Sequence, residues 1–139
     1  MRVLVIGASG YVGSRVVPAF LATGCTVRAA ARNPKALRRF WWHDRVETAR
    51  VDVTDAHTLP PALDDVDVVV YLVHGMRSAH FRDLDLAAAR TVRRAVDASQ
   101  VTRVVYVSGF VPSVRRTSCP SICSRAGRSS GNCPDRAAR

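Results

Sequence analysis

The first thirteen residues limit most severely what this chain can fold into. Val3-Leu4-Val5-Ile6 is a short, mostly β-branched apolar run that ends at a glycine. Runs of this kind read as strands buried on both faces. Glycines then recur at spacings of three in Gly7-Ala8-Ser9-Gly10-Tyr11-Val12-Gly13, and a helical stretch follows from Ser14 to Thr23, with Gly24 as its stop signal. The spacing has a chemical reason. A chain leaving a strand for a helix must turn sharply, which glycine tolerates. With no Cβ in the way, backbone amides can approach a diphosphate, and the helix adds the positive end of its dipole. The third glycine lets helix and strand pack closely. Placed between a strand and a helix, the pattern is a dinucleotide-binding fingerprint.

The rest of the chain alternates between strand-like and helix-like segments. Thr26–Ala31 reads as strand two, Arg45–Val51 as strand three, Val66–Val73 as strand four and Val104–Val107 as strand five. Between them fall a helical turn or two over Pro34–Arg39 and a short helix at Leu59–Leu63 with Pro60 and Pro61 in its first turn. The longest helix is expected over Asp83–Ser99, where Leu84, Ala88, Val92 and Ala95 recur at helical spacing. Pro18 conflicts with the first helix and predicts a bend or a late helix start. Five alternations imply parallel strands with crossover helices on both faces. The expected fold is α/β: a Rossmann-type doubly wound parallel sheet, incomplete at about five strands, with an irregular C-terminal tail. The expected division is a nucleotide-binding domain over 1–112 and a tail over 113–139.

The end of strand two bears on which dinucleotide is held. An acid there bonds the ribose 2′-hydroxyl of NAD, whereas an arginine accommodates the 2′-phosphate of NADP. The residues are Ala31-Arg32-Asn33-Pro34-Lys35, with no acid among them. Arg32 offers a fork of donors suited to phosphate, which favours NADP(H) over NAD(H).

Residues 1–112 resemble the atypical and extended short-chain dehydrogenase/reductases, including NmrA-like and NAD(P)H-binding proteins and the branch labelled NAD-dependent epimerase/dehydratase. The similarity rests on the glycine segment at 7–13, Ala-Arg-Asn-Pro at 31–34, Asp-Val-Thr-Asp at 52–55, Tyr-Leu-Val-His-Gly-Met at 71–76 and Val-Val-Tyr-Val-Ser-Gly at 104–109. It implies that Gly7, Ser9, Gly10, Tyr11, Val12 and Gly13 form the diphosphate loop. It also implies that Arg32 and Asn33 face the adenosine ribose, that Asp52 and Val53 lie beside the adenine, and that Leu72, Val73 and His74 line the groove. Ser108 would sit near the nicotinamide. The activity implied is that of an NADP(H)-dependent oxidoreductase or epimerase/dehydratase on a small-molecule substrate. A non-catalytic redox sensor of the NmrA-like kind, or an inactive truncated product, is the alternative. Short-chain reductases commonly pair a tyrosine with a lysine four residues on, the lysine lowering the phenol pKa. Lys35 is the single lysine here and follows no such tyrosine, so the dyad is absent. No catalytic residue is assigned; Ser108 and His74 are the candidates, and His74 reads more readily as a structural histidine.

After Pro112 the periodicity stops. Residues 113–139 carry six arginines and one aspartate against fifteen basic and ten acidic residues in 1–112, so half of the net charge of +10 lies in the tail. Compositional bias, not a nucleic-acid site, is the expected reading. Cys119, Cys123 and Cys133 bring no histidine with them and do not make a zinc site. In one GC-leaning back-translation, residues 116–123 read in a shifted frame spell Asp-Glu-Leu-Ser-Glu-His-Leu. That polar segment is similar to what the subgroup carries after strand five, so the tail is expected to be a truncated or frameshifted end. Strand five would then be an exposed edge. No apolar run reaches the length of a membrane span and no signal peptide precedes the first strand, so a cytoplasmic location is expected. Tyr106 reads as core. Of the adjacent Trp41 and Trp42, at most one faces the core. His43, His57 and His80 read as surface, Cys25 as a small apolar group, and Asp83 and Asp85 as acids placed by the helix dipole.

Overall fold

A computed structural model describes residues 1–73 and 81–107. Five strands, β1 (Arg2–Ile6), β2 (Thr26–Ala31), β3 (Glu47–Arg50), β4 (Val68–Tyr71) and β5 (Arg103–Tyr106), form one sheet in the order β3-β2-β1-β4-β5. Every pairing is parallel. The helices are α1 (Gly13–Ala22), α2 (Pro60–Leu63) and α3 (Phe81–Asp97), with 3-10 turns at Pro34–Arg39, His43–Arg45 and Ala56–Thr58. The doubly wound plan is therefore present. The chain steps outward from β1 to β2 and β3, then returns to the other side of β1 for β4 and β5.

Strand side chains alternate between two cores because their period is two. Val3 and Val5 of β1 pack with Val17 of α1, Leu37 and Trp42, while Leu4 and Ile6 pack with Leu59, Leu63, Ala88 and Val92. These four of the five β1 side chains are essentially inaccessible to water, as in a strand covered on both faces.

Several boundaries differ from the sequence expectation. Strand three begins at Glu47, not Arg45, because Arg45 and Val46 close a turn on Trp42 O and His43 O. Strand four is shorter, although Asp67 N–H and Leu72 N–H still donate to Arg2 O and Ile6 O. Helix α3 starts two residues earlier than expected and ends at Asp97. On it Ala88 and Val92 are buried, but Leu84 is 53% exposed. Tyr106 is 40% exposed instead of core, because β5 is the outermost described strand; Val104, Val105 and Val107 are exposed beside it.

The late helix start expected at Pro18 does not occur: α1 begins at Gly13 and runs through the proline. Pro18 has no N–H for the carbonyl of Ser14. The indole Nε1–H of Trp42 donates to that carbonyl at 3.2 Å instead. Trp42 is fully buried and stacks on Phe40 with centroids 4.9 Å apart, whereas Trp41 is 72% exposed. At its other end α1 closes with Gly24 N–H on Leu21 O and Cys25 N–H on Phe20 O, the Schellman arrangement. Cys25 packs, half-buried, against the core, as expected. His57 is exposed, and His43 lies half-buried 3.0 Å from Asp44. His80 and the tail 113–139, with its cysteines and its reading-frame question, lie outside the described residues. Among the described residues no helix is long and apolar enough to cross a membrane, and no cluster of metal-ligating side chains occurs.

Candidate functional site

The carboxyl ends of β1, β2, β3 and β4 meet at one groove of about 600 Å³. It lies where β1 stands between β2 and β4, the switch point at which open α/β sheets present a crevice.

The turn after β1 forms its floor. Gly7 has φ +94°, a conformation that side-chain-bearing residues rarely adopt, and a Cβ there would press on Leu72 and Val73. Gly7 N–H and Ala8 N–H both donate to Ala30 O, and Gly10 N–H donates to Gly7 O at 3.0 Å. Helix α1 follows at once, with Ser14 N–H on Gly10 O and Val16 N–H on Val12 O. Between these bonds the amides of Ser9, Tyr11, Val12 and Gly13 find no backbone acceptor among the described residues. A Cβ on Gly13 would lie 2.4 Å from Gly7 O and 2.6 Å from Ala8 Cα, so only glycine lets the helix come this close to the strand. Four donors in one backbone turn, at a positive helix end and with no acid between residues 7 and 13, fit a diphosphate.

At the end of β2, Arg32 lines the groove and is exposed. It makes no hydrogen bond or ion pair among the described residues. Asn33 serves locally: its Oδ1 accepts from Lys35 N–H at 3.1 Å and caps the following 3-10 turn, and it is not among the groove-lining residues.

Asp52 and Val53 line the groove after β3. Asp52 Oδ1 accepts from Thr54 Oγ1 at 2.7 Å and from Thr54 N–H at 3.0 Å. These two bonds hold its carboxyl below the usual carboxylate range, and the charges of Arg32 and Arg50 act in the same direction. Buried Thr58 fixes the backbone beneath: its hydroxyl accepts from Asp52 N–H and faces the carbonyls of Asp52 and Asp55. The sequence reading missed Thr54 and Thr58, although a threonine two residues after an aspartate is the local signal for such a turn.

Leu72 and Val73 line the groove after β4, and Leu84, Asp85 and Ala88 of α3 complete it. Asp85, read from sequence as a dipole-placed acid, thus also borders the groove. The α3 contribution carried no sequence signal, because periodicity reveals an apolar face without saying what it faces. On β4, burial pushes the Tyr71 phenol up to about 12, with the charge of Asp85 adding to the shift.

Of the residues singled out from sequence, Gly7, Ser9, Gly10, Arg32, Asp52, Val53, Leu72 and Val73 come together at this groove. Tyr11, Val12 and Gly13 belong to the loop without lining it. The Tyr11 ring is 76% exposed under the Arg15 guanidinium, 3.7 Å from its centroid. His74 and Ser108 lie outside the described residues.

The model of a family described as NAD(P)H-binding matches residues 7–118. The chain is 29% identical over 118 residues to a 3β-hydroxysteroid dehydrogenase/Δ5→4-isomerase of Mycobacterium tuberculosis, a match covering 77% of this chain and 31% of that protein. It thus spans about a third of the length of the curated relative it matches. A short-chain dehydrogenase/reductase superfamily protein of Agrobacterium tumefaciens, solved with bound NAD, superimposes with a TM-score of 0.63 at 28% identity, over 78% of this chain and 33% of that one. UDP-glucose 4-epimerase of Thermus thermophilus, solved with NAD, gives a TM-score of 0.67 at 22% identity over 94% of this chain and 52% of that one, a likeness of fold alone.

Proposed function

The chain belongs to the NAD(P)H-binding family of short-chain-dehydrogenase-like Rossmann proteins, and on that premise we propose that its groove takes NADP(H) in preference to NAD(H). The observation that carries this is at the end of β2: Arg32 borders the groove with no hydrogen bond or ion pair among the described residues, and no acid follows β2. An arginine fork there suits a 2′-phosphate, while the absence of a carboxylate leaves a 2′-hydroxyl without its usual acceptor. The loop amides of Ser9, Tyr11, Val12 and Gly13 would hold the diphosphate. Asp52 and Val53 would border the adenine, and Leu72 and Val73 would exclude water from the cofactor's inner side.

When bound, the nicotinamide supplies hydride transfer, and the protein supplies orientation and electrostatics. A second reading is cofactor binding without turnover, as in an NmrA-like sensor. Titration of the purified chain with NADPH and NADH tests the cofactor assignment. NADPH is expected to bind more tightly, and Arg32→Ala to weaken NADPH about tenfold, the loss of one charge-assisted contact, with NADH nearly unchanged. An unaltered ratio in the variant would sink the assignment of Arg32. Hydride exchange across a carbonyl panel separates the two readings: tight NADPH binding without exchange favours the sensor.

A further inference from the structure

We propose that Arg39 is a positioning residue for the diphosphate loop, holding the Ser9–Gly10 peptide from outside the groove and so setting how tightly the loop takes a diphosphate. This rests on the cofactor reading above and adds a residue that lines no part of the groove. Ser9 O and Gly10 N–H are the two polar ends of one planar peptide. Gly10 N–H donates to Gly7 O at 3.0 Å, and Ser9 O accepts from Arg39 Nη2 at 2.8 Å. With both ends bonded, the peptide cannot flip without breaking two hydrogen bonds. The acceptor-free amides of Ser9 and Tyr11 flank it, so its orientation governs theirs.

Arg39 is itself anchored. Its Cζ lies 4.8 Å from the Phe40 ring centroid, and Phe40 stacks on Trp42, whose indole reaches Ser14 O. The segment 39–42 therefore grips the loop and the start of α1 at two carbonyls, Ser9 and Ser14, some thirty residues away in sequence. Without Arg39, a peptide followed by glycine regains rotational freedom, and a ligand must order it on binding. Because Arg39 is exposed, its bond adds little to global stability, and the effect belongs to binding.

The full chain and its Arg39→Ala, Arg39→Lys and Arg38→Ala variants test this with NADPH, and with 2′-AMP, which lacks the diphosphate. Arg39→Ala is expected to weaken NADPH about tenfold and to leave 2′-AMP within about twofold. The deficit should persist in roughly 0.5 M salt, where a distant charge is screened. Arg39→Lys, which keeps one donor within reach of Ser9 O, should recover most of the affinity, and Arg38→Ala should match the parent. In the ligand-free chain, amide exchange at Gly10 should be faster in Arg39→Ala. Equal NADPH affinity in Arg39→Ala, a deficit abolished by salt, or a parallel loss for 2′-AMP overturns the proposal while the cofactor reading stands. If the unaltered chain binds neither NADPH nor NADH, both fail; unchanged Gly10 exchange removes the positioning role independently of any ligand.

Discussion

At the scale of single residues, the tightest glycine position among the described residues is Gly13. Its absent Cβ is the space that Gly7 O and Ala8 occupy. Gly13→Ala must push α1 off β1 or distort the turn, at about 3 kcal/mol, the upper range for overpacking. Urea denaturation should read that loss, and NADPH affinity should fall with it because the loop amides shift. Asp52 makes a different kind of prediction. Its carboxyl is held low in the folded chain, first by the Thr54 hydroxyl and amide and then by nearby arginine charge. A group whose pKa is lowered by folding contributes stability above its unfolded value and loses it as pH falls through the folded one. Asp52→Asn keeps an acceptor for Thr54 but cannot titrate. Its stability should therefore vary less than the parent's as pH falls below about 4; parallel acid limbs in thermal melts would contradict this. The residue-level features most legible in sequence were of this local type: glycine spacing and an arginine after β2. Arg39 was not among them, because its partner is the carbonyl of Ser9, which sequence spacing does not bring near.

Among the elements, α1 shows how a local conflict is resolved at a distance. A proline inside a helix breaks one rung, and sequence alone predicts that the helix yields by bending or starting late. It does not start late, because the buried indole of Trp42 supplies the donor that Pro18 lacks. The two residues should therefore be coupled. Pro18→Ala restores the N–H and is expected to stabilise the chain by about 1 kcal/mol. Trp42→Phe, which removes the N–H and some core volume, should be destabilising by about 2–3 kcal/mol. In the Pro18→Ala background its cost should fall by about 1 kcal/mol, because Ser14 O then has a helical donor. A double-mutant cycle by chemical denaturation measures this, and strictly additive values would show that the indole bond does not replace the missing rung. Strand boundaries were read less well than strand identities for a related reason. Hydrophobic pattern marks where a strand is covered, while its ends depend on turns such as Trp42–Val46 that close on backbone atoms.

For the described body as a whole, the order β3-β2-β1-β4-β5 is what turns separate motifs into a site. Placing β1 between β2 and β4 brings the ends of four strands, from Gly7 to Val73, to a single groove. The parallel sheet, its two cores and the diphosphate turn were all determined by the sequence alone. They depend on periods of two and of about 3.6 and on glycine spacing, which act between near neighbours in the chain. What waited for the tertiary structure was everything that needs distant segments to meet. Leu84, Asp85 and Ala88 close the groove from α3, Trp42 repairs α1, and Tyr106 at the outermost described strand is exposed, not core. The physical reason is the same throughout: local pattern says which face of an element is buried, but only the packed arrangement says against what.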